Sequence, residues 1–160
     1  MIRPLRKDDL DNAVSIWFAA SIKAHDFISE EYWFSQKQNM RNLYLPNCES
    51  WVYESAGNIL GFVSYYEASI PAIFVDPESQ SCGIGTQLLN HLKDKYNKLT
   101  LTVYSENKKT HQFYLHHGFN DVGKCICEHT GKEQFEMRWS KIGNVKLIQV
   151  SGLCDHLLNE

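Results

Sequence analysis

Leu10, Ala13, Val14, Trp17 and Ser21 fall at helical spacing, with Asp8 placed to cap the helix and Asp11 favouring its start. The short run "MIRPLR" before them predicts a strand. "KAHDFIS" breaks the pattern, and Tyr32, Trp33, Gln36, Met40 and Leu43 then predict a second helix from about Glu30 to Leu43. Pro46 and Asn47 are expected to end it.

The periodicity next shortens to two. "SWVYES" and "ILGFVSYY" flank the turn "AGN", which predicts a hairpin. "IPAIFVD" is almost wholly apolar, as a strand covered on both faces should be. Ile84, Leu88, Leu92 and Tyr96 repeat every four residues, with Leu89 widening the stripe, and predict a helix. "LTLTVY" reads as a strand and Asn107 as the cap of the helix after it. That helix should stop at Gly118, in the left-handed position with apolar Phe119 beyond it. "FNDVGKCICEH" and "EQFEMRWS" predict a last hairpin around "TGK". The order is strand, two helices, three strands, helix, strand, helix, two strands, which predicts an α/β fold with one mixed sheet.

Residues 1–140 are expected to form the domain and 141–160 a C-terminal extension of uncertain role. In the extension, Val145, Leu147 and Val150 suit a strand, and Leu153, Leu157 and Leu158 a short helix. Packing against the domain is preferred there to a partner contact or an added strand. At 160 residues the chain fits one domain.

Charge and composition narrow the partners. The net charge is -3, with 43% hydrophobic and 22% charged residues, so no basic field invites nucleic acid or an anionic membrane. No apolar run approaches the ~20 residues that span a bilayer. "MIRPLRKDDLD" lacks the apolar core of a signal peptide. Five cysteines (Cys48, Cys82, Cys125, Cys127, Cys154) follow no framework spacing and are expected to be reduced thiols of a cytoplasmic protein. The expected assembly is a monomer or a homodimer.

The candidate chemistry begins at "DPESQSCGIGTQLL". A strand, a Gly-rich turn and a helix start make an anion site, because the first helical turn leaves amides unpaired. Gly83 and Gly85 let the backbone approach a phosphate, and Cys82, Ile84 and Thr86 would offer amides. A P-loop would need Lys-Ser/Thr after Gly85, where "TQ" stands; the dinucleotide fingerprint would need glycine at Leu88. What remains is Gln80-x-x-Gly83-x-Gly85.

That turn, with the later block "LTVYSENKKTHQFYLHHGF", resembles the GNAT N-acetyltransferase superfamily, and small bacterial members in particular. The resemblance covers roughly residues 2 to 139. It implies a sheet of six to seven strands splayed at the fourth, acetyl-CoA as co-substrate and an amine as acceptor. The acceptor would be a protein lysine, a peptide N-terminus or a small amine metabolite, attacked directly in a ternary complex. By the same resemblance Gln80, Ser81 and the Gly83–Thr86 amides would hold the diphosphate, and main-chain groups of Phe74 and Val75 the thioester. Asn107 and Phe113 would line the carrier's path, with Asn107 near the sulfur or simply capping its helix; Lys109, beside Lys108, would meet a CoA phosphate or be only a solvated helix start. Tyr114 would return a proton to the sulfur; a phenol with pKa near 10 carries it at neutral pH.

A lysine-like amine is almost fully charged at pH 7, and removing its proton costs about 4–5 kcal/mol. Glu67 and His25 are the candidate bases, each set against a plain surface role or a water relay. Other readings are a module that holds acyl-CoA without turnover and a nucleotide-phosphate binder. Cys125, Cys127 and His129 alternate along one strand, so their side chains stand about 6.5 Å apart, too far to converge on zinc; no metal is expected. His116 and His117 suit a helix end.

Overall fold

In a computed structural model, residues 1–141 are described; the elements suggested for the tail lie outside them. The strands are β1 (Ile2–Pro4), β2 (Glu49–Ser55), β3 (Asn58–Tyr66), β4 (Ser69–Val75), β5 (Lys98–Tyr104), β6 (Asn120–Ile126) and β7 (Glu133–Ser140). The helices are α1 (Leu10–Ala24), α2 (Glu30–Ser35), α3 (Lys37–Asn39), α4 (Leu45–Asn47), α5 (Ile84–Lys95) and α6 (Lys108–His116). The seven strands form one sheet in the order β1-β2-β3-β4-β5-β7-β6. Neighbours are antiparallel except β4 and β5, which run parallel on either side of the α5 crossover.

Alternation along the strands sends side chains into two cores. Val52, Phe62, Ala72 and Phe74 pack on one face with Ala13, Val14 and Trp17 of α1. Val63 and Ile73 pack on the other with Ile84, Leu88 and Leu92 of α5. Each fully buried Leu contributes about 1.5–3 kcal/mol, so α5 is held by its stripe rather than by intrinsic propensity. Gly61 permits that contact: a Cβ there would stand 2.9 Å from the Phe74 carbonyl oxygen and 3.3 Å from Ile84 and Leu88 side-chain carbons.

Two local expectations change. Asp9, not Asp8, closes the start of α1: its carboxylate accepts the Arg6 amide at 2.7 Å and two Arg3 guanidinium bonds at 2.8 and 3.1 Å. The second helix is a broken run rather than one rod to Leu43. After α2, capped by Ser29 Oγ accepting from the Tyr32 amide at 3.3 Å, come α3, a π-helical turn over Met40–Tyr44 and α4. Pro46 sits in the first turn of α4, where its missing N–H costs nothing, so helical geometry continues past the expected stop.

β3 and β4 stay paired up to Gly61 and Val75, and the Asp76 amide still donates to Leu60 at 2.8 Å. β4 and β5 share a register pair only at Ser69 and Thr100 among the described residues. Beyond it the two strands part, which opens a cleft at their C-terminal ends.

Candidate active site

The cleft is a cavity of about 690 Å³, within the usual range for a small-molecule site. Its walls come from three places. Ile73, Phe74 and Val75 supply the parted strand; Ala20, Lys23, Ala24 and His25 supply the end of α1. Glu106 to Thr110 and Phe113 supply the start of α6, and the floor is the turn from Ser79 to Thr86 without Cys82.

That turn is bent by left-handed residues, Ser81 at φ 64° and Gly83 at φ 81°. Open space lies beyond Gly83, so its conformation, not crowding, calls for glycine there. A Cβ on Gly85 would come within 3.6 Å of Phe113 and 3.9 Å of Val75, filling the gap between turn and α6. The first intrahelical bond of α5 runs from the Gln87 amide to the Gly83 carbonyl at 3.0 Å. The amides of Ile84, Gly85 and Thr86 therefore face the cavity without an intrahelical acceptor. Gln80 braces the turn, its Nε2 donating to the Val75 carbonyl at 3.1 Å.

Charge suits a polyanion. Lys23, Lys108 and Lys109 line the cavity against one carboxylate, Glu106. Thr86 Oγ1 lies 3.2 Å from His117 Nε2. Burial, then Lys93 and His116, hold the His117 pKa below its ordinary value, so the ring bonded to Thr86 is neutral at neutral pH.

Asn107 joins two walls. Its Oδ1 accepts the Thr110 amide at 3.3 Å as the α6 cap, and its Nδ2 lies 3.1 Å from His25 Nε2. The His25 ring is closed to solvent among Phe27, Trp33 and Tyr104, at centroid distances of 5.6, 5.3 and 5.1 Å.

Placement of the residues named from sequence is uneven. Phe74, Val75, Gln80, Ser81, Gly83, Ile84, Gly85, Thr86, Asn107, Lys109, Phe113 and His25 line the cavity. Cys82 does not; it is exposed on the outside of the turn. Tyr114 is 2% exposed in the α5-side core, behind Phe113 at a ring distance of 5.3 Å, and is not part of the cavity wall. Glu67 is not brought into the site. It turns the β3–β4 hairpin at φ 45°, at the opposite end of β4 from Phe74, about 20 Å along the strand. Sequence reasoning missed Ala20, Lys23, Ala24 and Glu106. The first three share one helical face (spacing 3 and 4), and their lack of apolar bulk was the signal.

Cys48, Cys82 and Cys127 are free thiols. Among the described residues no three His, Cys, Asp or Glu side chains are grouped to hold a metal. None of the described helices is long and apolar enough to cross a membrane.

A parted strand pair beside a cationic cavity, with a helix start at its floor, suits the binding of an acyl carrier. Comparisons with known proteins agree. Residues 46–121 match the family described as acetyltransferase (GNAT) domain. The chain is 32% identical over 140 residues to peptidyl-lysine N-acetyltransferase YiaC of Escherichia coli, covering 87% of this chain and 96% of that one. The solution structure of apo YjaB from Escherichia coli superposes with a TM-score of 0.77 at 26% identity, over 89% of this chain and 97% of that one. PaiA N-acetyltransferase of Thermoplasma acidophilum, solved with coenzyme A, shares the fold at a TM-score of 0.72 and 19% identity, over 88% and 98% of the chains. The protein belongs to the GNAT family of N-acetyltransferases. It is an enzyme that takes its acetyl group from acetyl-CoA, which sets aside the non-catalytic module and the unrelated nucleotide binder.

Proposed function

We propose that the acceptor is a lysine side chain of a protein or peptide. The observation that carries this is the match along 96% of a relative named for peptidyl-lysine acetylation. In this reading the Ile84–Thr86 amides and the lining lysines bind the diphosphate, and the main chain of Phe74 and Val75 orients the thioester. The deprotonated ε-amine attacks the carbonyl carbon; the new C–N bond forms as C–S breaks, and the thiolate takes up a proton. Tyr114 supplies that proton, a role supported by its place in the Phe-Tyr-x-x-x-Gly-Phe pattern; it stands behind Phe113 rather than in the cavity wall, so the phenol has to reach the thiolate past that ring. Glu106, in the wall beside Asn107, receives the amine's proton through water. A cytoplasmic location, where acetyl-CoA is abundant, goes with this activity.

The test is thiol release from acetyl-CoA with three acceptors: an N-terminally blocked lysine peptide, a lysine-free peptide with a free N-terminus, and a polyamine. Release with the first, and a mass increase on its lysine, is expected. Release with either of the others alone overturns the acceptor assignment.

A further inference from the structure

Both ends of the Asn107 amide are in use, and one end fixes the other. A backbone N–H only donates, so the atom facing Thr110 at 3.3 Å must be Oδ1. The atom 3.1 Å from His25 is therefore Nδ2, which also only donates. His25 Nε2 must accept that bond with its lone pair. In a neutral imidazole the proton then sits on Nδ1.

We propose that His25 is a positioning residue for acetyl transfer: its neutral, Nδ1-protonated ring holds the Asn107 amide and so ties the first turn of α6 to the loop that follows α1. The proposal rests on the cleft being the acetyl-transfer site. It moves His25 away from the role of base, because the nitrogen a base would use already accepts from Asn107. The ring is 0% exposed and wedged among Phe27, Trp33 and Tyr104.

The consequence is spatial. Lys108, Lys109, Thr110 and Phe113 reach the cavity from α6; Ala20, Lys23 and Ala24 reach it from α1. His25 and Asn107 lie 82 residues apart in sequence, and their bond joins these walls. Without it the cap of α6 keeps its Thr110 bond but loses its anchor to the opposite wall.

Protonation would break the link. A second N–H on Nε2 would face the Asn107 NH₂, donor against donor. Turning the amide to offer oxygen to His25 would instead set its NH₂ against the Thr110 amide. Several groups face the ring from other elements. From β5 comes Tyr104, whose phenol burial holds well above its ordinary pKa and which donates to Cys127 Sγ at 3.5 Å. From α2 and the loop before it come uncharged Trp33 and Phe27, with Asp26 next in the chain. Lys23, Glu106, Lys108 and Lys109 share the cavity wall.

The experiment has two arms. Nitrogen-15 NMR of the wild-type imidazoles should show His25 protonated at Nδ1 and bare at Nε2 at neutral pH, with the Asn107 side-chain NH₂ signals shifting as the ring protonates. The opposite tautomer overturns the proposal, and this arm needs no turnover. In the second arm, kcat and KM are measured against pH for His25→Ala and His25→Gln. Ala should lower kcat about tenfold to a hundredfold. Gln, whose Oε1 accepts the same bond without titrating, should recover most of that loss and remove the wild-type acidic limb. A Gln variant as slow as Ala would mark His25 as a base. An Ala variant with lower Tm but unchanged kcat and pH profile would mark it as structural only. If the wild type itself releases no thiol with lysine peptides, the acceptor assignment fails while the tautomer result stands.

Discussion

Ser69 and Thr100 form the one register pair that holds β4 beside β5 among the described residues. The Thr100 amide also donates to Ala68 at 2.8 Å, so the strands are pinned at one end. Everything the cleft does follows from what happens beyond that pin. β4 stays with β3, and Phe74 and Val75 line the cavity with no register partner on β5 among the described residues. An unpaired strand edge is normally a liability. Here it is enclosed by α1 and α6, and it is free to bond an extended carrier.

Gly83→Glu should weaken CoA binding about a hundredfold or more in calorimetry, since a carboxylate would meet the diphosphate. The variant also carries the strain of a side chain at φ 81°. Gly57→Ala separates the two effects, because Gly57 has φ 80° in the β2–β3 turn, away from the cavity. It should lose stability while keeping CoA affinity. Equal affinity in Gly83→Glu would remove the turn from the binding site.

Tyr114→Phe deletes one hydroxyl from the α5-side core. If that phenol protonates the departing thiolate, kcat should fall about a hundredfold while the CoA dissociation constant changes little. Unchanged turnover removes the acid role from Tyr114.

Much of this was legible in the chain. The strand and helix order, the anion turn and the Asn107 cap all have local signatures: period, glycine, capping side chain. Glu67 misled because it is near β4 in sequence, yet a strand carries its two ends far apart. The helix expected to stop before Pro46 continued because a π-turn shifted the register and put the proline in a first turn. The His25–Asn107 bond gave no sign, since contacts across the sheet's open seam leave no local pattern. Gly61 read as an ordinary hairpin residue; only the packed α5 shows what it spares.

Gly61→Ala places a methyl 2.9 Å from the Phe74 carbonyl oxygen, a backbone atom that cannot turn aside. The expected loss is about 1–3 kcal/mol. Thermal unfolding should show it at about 2–4 °C per kcal/mol. A Tm equal to wild type would mean that α5 stands farther from the sheet than described.

Acid should loosen the start of α1. The hydrogen bonds from Arg3 hold the Asp9 and Glu54 carboxyls below their ordinary pKa values. A carboxylate whose folded pKa is depressed contributes stability above its unfolded value near 4, lost as pH falls through the folded value. Asp9→Asn should lower Tm at pH 7 and flatten the decline of Tm below about pH 4. A parallel decline in variant and wild type would show that Asp9 carries no such linkage.

The most direct measurement of the central claim is a backbone amide NMR titration with CoA. The parted strands and the α5 start predict that the largest shifts fall on Phe74, Val75 and Gly83 to Thr86, with the Ser69–Thr100 end unmoved. Shifts confined to other surfaces, or none at saturating CoA, would contradict it.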